Sequence, residues 1–127
     1  DTVDHPNTIG IRASMPGSGF ARERMFARFQ VQYLSAADDR WHNLGPSGDS
    51  GWVALGSGRY RARQAGRNFV LKAPAEGRVH RVRGAVTFEW RRGKDVVRRA
   101  RKRTTAGHGS TRGADPAGFS AAVCEIR

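Results

Sequence analysis

Arginine is the residue type with the most chemical potential in this sequence, and it is concentrated in one stretch. Between Arg78 and Arg103 the chain has 11 Arg or Lys residues against two acidic residues, Glu89 and Asp95. A planar guanidinium group donates paired hydrogen bonds to phosphate, sulfate or carboxylate. This density therefore predicts a surface that binds a polyanion, either a nucleic acid or an acidic glycan. The candidate binding residues are Arg81, Arg83, Arg91, Arg92, Arg98, Arg99, Arg101 and Arg103.

A second interpretation of the same stretch is that its charges only form a solvated surface and bind no ligand. The whole chain has 20 Arg and only 3 Lys, with abundant Ala, Gly and Val, a composition typical of GC-rich genomes. The stretch contains the aromatic residues Phe88 and Trp90, but their spacing places both on the core side of a strand. We therefore expect no aromatic side chains interleaved with these arginines for base stacking. Trp41 and Trp52 flank a Gly/Pro/Ser loop and are expected in the core; the alternative is that they are exposed and stack on sugar rings. The sequence also has no zinc finger, RRM signature or helix-turn-helix pattern.

The other reactive residues form no recognisable catalytic or metal-binding pattern. The histidines are scattered, without HxxxH or HExxH spacing, at His5, His42, His80 and His108. Asp38 and Asp39 are interpreted as turn formers. Cys124 is the single cysteine and is predicted to be a small buried thiol in a strand. We therefore predict no cofactor, no metal ion and no enzymatic activity.

Alternation of apolar and polar residues predicts the strands that must position this charge. The clearest strands are residues 25–33 and 82–90, and shorter ones are predicted around Ile9 and over 41–44, 52–55, 68–73, 96–104 and 119–126. A hairpin turn at 91–94 uses Gly93 for a positive φ. With a three-residue turn, Phe88 pairs with Val96. The strand 96–104 carries arginines on both faces, which predicts an edge strand or a strand covered on one side only.

This series of short strands, without an amphipathic helix, predicts one antiparallel β-sandwich domain over residues 1–127, with a small barrel as the alternative. No run approaches the roughly 18 apolar residues that a membrane-spanning helix needs. The predicted core residues are Phe29, Val31, Tyr33, Trp41, Trp52, Phe69, Leu71, Val86, Phe88, Trp90, Phe119 and Val123.

Three stretches resemble known β-sandwich modules. FQVQYLSAADDRWHNL, residues 29–44, looks like the strand–turn–strand of fibronectin type III-like modules, in which a polar turn precedes a Trp. Residues 66–104 and 114–126 are similar to immunoglobulin-like domains in secreted proteins of GC-rich bacteria. The chain lacks the Cys pair and the tyrosine corner of antibody domains. The resemblance implies an all-β, antiparallel immunoglobulin-like β-sandwich of about 7–8 strands, and export; it transfers no functional residues.

Two functions follow as hypotheses. The first is a non-catalytic module, secreted or at the cell surface, that has a structural role or binds another extracellular protein. The second is an Arg-rich polyanion-binding protein that uses the 78–103 hairpin. A formal net charge of +12 favours contact with anionic partners.

Overall fold

The computed structural model describes residues 4–106 and 122–127. Within these ranges the chain forms eight strands and one short 3-10 turn, Pro46–Gly48. The strands are β1 (Thr8–Pro16), β2 (Arg24–Ser35), β3 (Arg40–Asn43), β4 (Asp49–Ser57), β5 (Ala62–Val70), β6 (His80–Arg92), β7 (Asp95–Arg103) and β8 (Cys124–Ile126). No helix in this part of the chain is long and apolar enough to cross a membrane.

Two antiparallel sheets form the sandwich, which confirms the predicted fold class. The smaller sheet pairs β1 with β5, and the larger sheet has the order β3-β2-β6-β7. Strand β4 also pairs with β2, so β3 and β4 lie end to end along one edge of that strand. Strands β7 and β8 lie end to end along one edge of β6 in the same way.

The core lies between the two sheets and follows the alternation of the strands. Strand β2 contributes fully buried Met25, Ala27, Phe29 and Val31, and β6 contributes Val82, Val86, Phe88 and Trp90. The smaller sheet covers them with Ile9, Ile11, Met15 and Phe69. The indole Nε1 of Trp90 donates a hydrogen bond to the Pro16 carbonyl (3.0 Å), which links the two layers. Burying these side chains is the main favourable contribution to folding.

Several predicted core residues lie elsewhere. Tyr33, Trp52 and Val123 are exposed, and Trp41 is only half-buried. Trp52 pairs with Arg28 of β2, so it lies on the face of the larger sheet that is turned away from the smaller one. Short peripheral strands carry too few residues for the buried face to be identified from alternation. Phe119 lies outside the described residues.

The Arg-rich hairpin forms, but its predicted register is wrong by four residues. Phe88 pairs with Ala100 instead of Val96, and Arg92 pairs with Asp95. The turn therefore has two residues, Gly93 and Lys94. The φ of Gly93 is 60°, which suits the first central position of a type II′ turn. Over residues 98–103 the error is an even number of residues, so these side chains lie on the predicted faces. Val96, before the irregularity at Trp90–Arg91, pairs with Arg91 and so lies on the face opposite to the predicted one.

The strand boundaries also differ from the prediction, most of all in β5 and β8. Strand β5 spans Ala62–Val70 instead of 68–73, because its side chains are mostly exposed and give no apolar alternation before Phe69. The last strand covers only Cys124–Ile126 of the predicted 119–126, and residues 119–121 lie outside the described ranges. Strand β7 is an edge strand as predicted.

Candidate polyanion-binding surface

The candidate site is the face of the larger sheet that is turned away from the smaller sheet, called here the outer face. Its residues alternate along each strand with those of the core. They are Arg24, Phe26, Arg28, Gln30 and Gln32 on β2, Trp41 on β3, Trp52 on β4, Arg81, Arg83, Thr87, Glu89 and Arg91 on β6, and Arg99, Arg101 and Arg103 on β7.

Strand pairing brings most of the predicted arginines to this face. Six of the eight share it, namely Arg81, Arg83, Arg91, Arg99, Arg101 and Arg103. The other two lie elsewhere. Arg92, beside the hairpin turn, has its guanidinium carbon 5.6 Å from the ring centroid of Phe20. Arg98 lies on the core side of β7, 4.8 Å from the ring centroid of Trp90.

Acidic side chains already compensate four of the predicted arginines. Arg92 pairs with the buried Glu23 (2.7 Å), and Arg81 approaches Glu125 at 3.7 Å. Arg91 and Arg99 both pair with Glu89. At these four positions the positive charge is already balanced within the protein.

Glu89 organises two guanidinium groups on the outer face. Its side chain is buried, with only 2% of the residue exposed. Arg91 Nε donates to Oε1 (2.9 Å), and Arg99 donates to Oε2. Burial acts to raise the pKa of Glu89, but the hydrogen bonds from Arg99 and Arg91 outweigh it and hold the pKa below its usual value. Glu89 is thus ionised at neutral pH and fixes both arginines.

A second group, Arg83, Arg101 and Arg103, lacks this compensation. Arg101 and Arg103 are two residues apart on β7 and share one side, and Arg103 pairs with Ala85 of β6. Arg83 is two residues from Ala85, so it is the diagonal neighbour of Arg103. Within residues 4–106 and 122–127, no carboxylate lies within ion-pair distance of the three. They are called here the arginine triad.

The position of Arg83 is fixed by neutral partners. Its Nε donates a hydrogen bond to Gln32 Oε1 (2.8 Å), and its guanidinium carbon lies 4.3 Å from a ring centroid of Trp41. Burial first, and then the positive charges of Arg103 and Arg101, lower the pKa of Arg83 below its usual value. The triad is therefore a place where like charges repel one another and an anion would relieve the repulsion.

Sequence reasoning favoured the core for Trp41 and Trp52 over exposure and did not identify Phe26 as a surface residue. Arg91 lies between two rings, with its guanidinium carbon 4.0 Å from the centroid of Phe26 and 4.9 Å from that of Trp52. The arginine stretch itself contributes no aromatic side chain to the outer face, as expected, but β2, β3 and β4 supply Phe26, Trp41 and Trp52. Phe88 and Trp90 themselves are buried as predicted. The available signal was Phe26, which falls on the polar side of the alternation in β2.

Arg28 and Asp49 hold the strand that carries Trp52. Arg28 Nε donates to Oδ1 of Asp49 (3.0 Å) and Nη2 to Oδ2 (2.5 Å). Asp49 also accepts hydrogen bonds from Gln30 Nε2 (3.3 Å) and the Gly51 amide (2.9 Å). The hydrogen bond from Arg28 is the main cause that lowers the pKa of Asp49 to about 2. The pair joins β2 to the first residue of β4.

The remaining candidate residues are dispersed. Among the described residues, no group of three or more His, Cys, Asp or Glu side chains could hold a metal ion. Asp38 accepts a hydrogen bond from the Arg40 amide (3.0 Å) and lies 2.6 Å from His42 Nε2, within the β2–β3 turn. Cys124 is half-buried against the core, and burial raises the pKa of its thiol. His108 lies outside the described residues.

Comparison with known proteins gives no relative from which a function could be transferred. No protein-family model, no curated protein and no solved structure matches the chain. The resemblance to immunoglobulin-like and fibronectin type III-like domains therefore stays a prediction. What the chain can bind has to be argued from its own surface.

Proposed function

We propose that this protein is a non-catalytic β-sandwich module, secreted or at the cell surface, that binds an anionic polymer on its outer face. The observation that carries the proposal is the arginine triad. Strand register makes Arg83, Arg101 and Arg103 neighbours on the outer face, and no carboxylate lies within ion-pair distance of them in the described part of the chain. Crowding of like charges costs free energy in the unbound protein. Phosphate, sulfate or carboxylate groups would remove that cost and accept paired hydrogen bonds.

The arginines that are paired with Glu89 support the proposed binding surface by keeping it rigid. Glu89 fixes Arg91 and Arg99, so the outer face keeps a defined shape around the arginine triad. A rigid arrangement reduces the entropy that the protein loses on binding. The formal net charge of +12 would also accelerate encounter with an anionic polymer at low ionic strength.

The proposal is tested by measuring the affinity for labelled heparin and for a labelled oligonucleotide over a series of salt concentrations. The double variant Arg101→Gln/Arg103→Gln removes two charges from the triad. Arg61→Gln/Lys72→Gln removes two charges from exposed positions that flank β5 in the smaller sheet, and serves as the matched control. We expect the slope of log K against log salt to fall by about 1.4 in the triad variant, at about 0.7 per lost phosphate contact on a single strand.

The control variant should keep the wild-type slope. Equal loss in both variants would mean that overall charge, and not the outer face, governs binding. No binding of either polymer near physiological salt would overturn the proposal. Shortening of the polymer during incubation would overturn its non-catalytic part.

The extracellular part of the proposal rests on the resemblance to secreted modules and has its own test. Fractionation of the source cells, followed by detection with an antibody, should recover the protein in the medium or in a protease-accessible surface fraction. Recovery only from protease-protected cell contents would overturn it.

A further inference from the structure

The aromatic residues of the outer face lie where a bound polymer would pass. Trp52 has 39% of its surface exposed, and Trp41 is half-buried. One guanidinium group contacts each indole, Arg91 at 4.9 Å from Trp52 and Arg83 at 4.3 Å from Trp41. An arginine held against an aromatic ring orients both planes. The outer face therefore presents pre-oriented flat groups together with positive charge.

The β2 partners of the two indoles give the distance between them along the sheet. Trp41 pairs with Leu34 and Trp52 pairs with Arg28. Six residues at about 3.3 Å each give a separation of about 20 Å along the strand. The amide side chains of Gln30 and Gln32 lie between them on the same face. A ligand that reaches both indoles is therefore a polymer and not a single small anion.

The two indoles and the arginines of β7 occupy opposite sides of the outer face. Trp41 and Trp52 lie on β3 and β4, at one edge of the sheet, whereas Arg101 and Arg103 lie on β7, at the opposite edge. Strand β6 places Arg83 between the two rows. A single nucleic acid strand has the same division, with phosphates along one side and unpaired bases along the other.

We propose that the outer face binds single-stranded nucleic acid, with phosphates on the arginine triad and a base stacked on Trp52. This inference rests on the proposed function and names its ligand class. Single-strand binding surfaces combine a positively charged track with aromatic side chains on which bases stack. A sulfated glycan would also use the guanidinium groups, but its charged sugar rings offer an indole only C–H groups, whereas every base offers a flat π-face.

Duplex DNA fits the same surface less well. Its base faces are covered by neighbouring base pairs, so an indole on a sheet cannot reach them. Reading a duplex through its major groove takes an inserted helix or a two-stranded ribbon. The outer face is instead the broad surface of a six-stranded sheet. The aromatic contacts are available only to an unpaired strand.

The test compares an unstructured oligonucleotide of about 16 nucleotides, a length that covers a single-domain binding site, with its duplex and with heparin. Trp52→Ala removes the stacking surface, and Trp52→Phe keeps a smaller ring. Tyr60→Ala is the matched control, because Tyr60 is also 39% exposed and also lies beside guanidinium groups, those of Arg59 and Arg63. Tyr60 lies between β4 and β5 and not on the outer face.

We expect Trp52→Ala to weaken binding of the single strand by about fivefold or more, the effect of losing one stacked base. Its affinity for heparin should change less than twofold. Trp52→Phe should lie between wild type and Trp52→Ala, and Tyr60→Ala should bind as wild type does. Wild-type tryptophan fluorescence should fall on addition of the single strand. A thermal melt of each variant checks that the fold is retained.

The outcomes separate this inference from the proposed function. If heparin or duplex binds more tightly than the single strand, or if Trp52→Ala binds the single strand as wild type does, the surface recognises charge alone and this inference is wrong. The proposed function would survive both of those results. If the wild-type protein binds neither the single strand, the duplex nor heparin, both this inference and the proposed function are wrong.

Discussion

Each arginine of the outer face has one of two roles, depending on whether a carboxylate lies beside it. Arg91 and Arg99 are fixed by Glu89, and Arg28 is fixed by Asp49. Arg83 and Arg101 have no such partner within the described residues. The compensated arginines therefore contribute to the shape of the face, and the uncompensated ones contribute to its affinity for anions.

Asp49 gives a prediction at this scale. Its pKa falls from 3.8 to about 2 in the folded protein, so the carboxylate stabilises the fold above that range and loses its effect as the pH falls through it. Asp49→Asn should lower the free energy of unfolding at neutral pH by about 1 kcal/mol. The difference from wild type should shrink as the pH is lowered from about 4 to about 2. Urea denaturation followed by tryptophan fluorescence measures both effects.

The control for this prediction is Asp39→Asn. Asp39 is exposed in the β2–β3 turn with a φ of 57°, a conformation that asparagine tolerates as well as aspartate does. Its stability should therefore match wild type. An equal loss in both variants, or a loss in Asp49→Asn that persists in acid, would contradict the role assigned to the Arg28–Asp49 pair.

At the scale of the elements, the hairpin between β6 and β7 decides where the arginine triad lies. Its two-residue turn places Arg92 opposite Asp95, and a bulge at Trp90–Arg91 shifts the register of the rest of β7 by one residue. Without that bulge, the side chains beyond it would exchange faces. Arg101 and Arg103 would then lie on the core side of the sheet, away from Arg83.

Gly93 gives a prediction at this scale. A Cβ added there would meet no atom within 4 Å, but the φ is 60°. Gly93→Ala should therefore lower the free energy of unfolding by about 1 kcal/mol through backbone strain alone. Lys94→Ala, at the other turn position, should change it by less than about 0.5 kcal/mol. Equal thermal denaturation midpoints for the two variants would show that the turn does not strain an alanine.

The sequence predicts the long central strands well and the periphery poorly. In β2 and β6 apolar side chains alternate over enough residues to identify both the strand and its buried face. In β5 only Phe69 is buried, so alternation carries no signal. The eight candidate arginines could be found from charge density. The aromatic side of the outer face could be found only in part, because the contact of Trp41 with Arg83 and the pairing of Trp52 with Arg28 form only between distant segments of the chain.

At the scale of the whole molecule, a formal net charge of +12 opposes the compact state through self-repulsion. Raising the ionic strength from about 0.01 M to about 0.15 M shortens the screening length from about 30 Å to about 8 Å. We therefore expect the free energy of unfolding to increase with salt over this range. Urea denaturation at several NaCl concentrations measures it.

A decrease in the free energy of unfolding with salt would also be informative. Salt also screens ion pairs such as Arg92–Glu23 and Arg28–Asp49, which would lower the free energy of unfolding. A net decrease with salt would show that paired charges outweigh the long-range repulsion. The uncompensated arginines would then cost the folded state little.

Strands β7 and β8 lie end to end along β6, so the length of chain that connects them can vary at little cost to the sheet. The chain leaves this edge after Arg103 and returns to it at Cys124, and Thr104 Oγ1 donates a hydrogen bond to the Ala122 carbonyl (2.8 Å). The entropy of closing a chain segment grows only logarithmically, by about 0.6 kcal/mol for each doubling of length. On chain entropy alone, lengthening the segment between these two strands should therefore cost the fold little free energy.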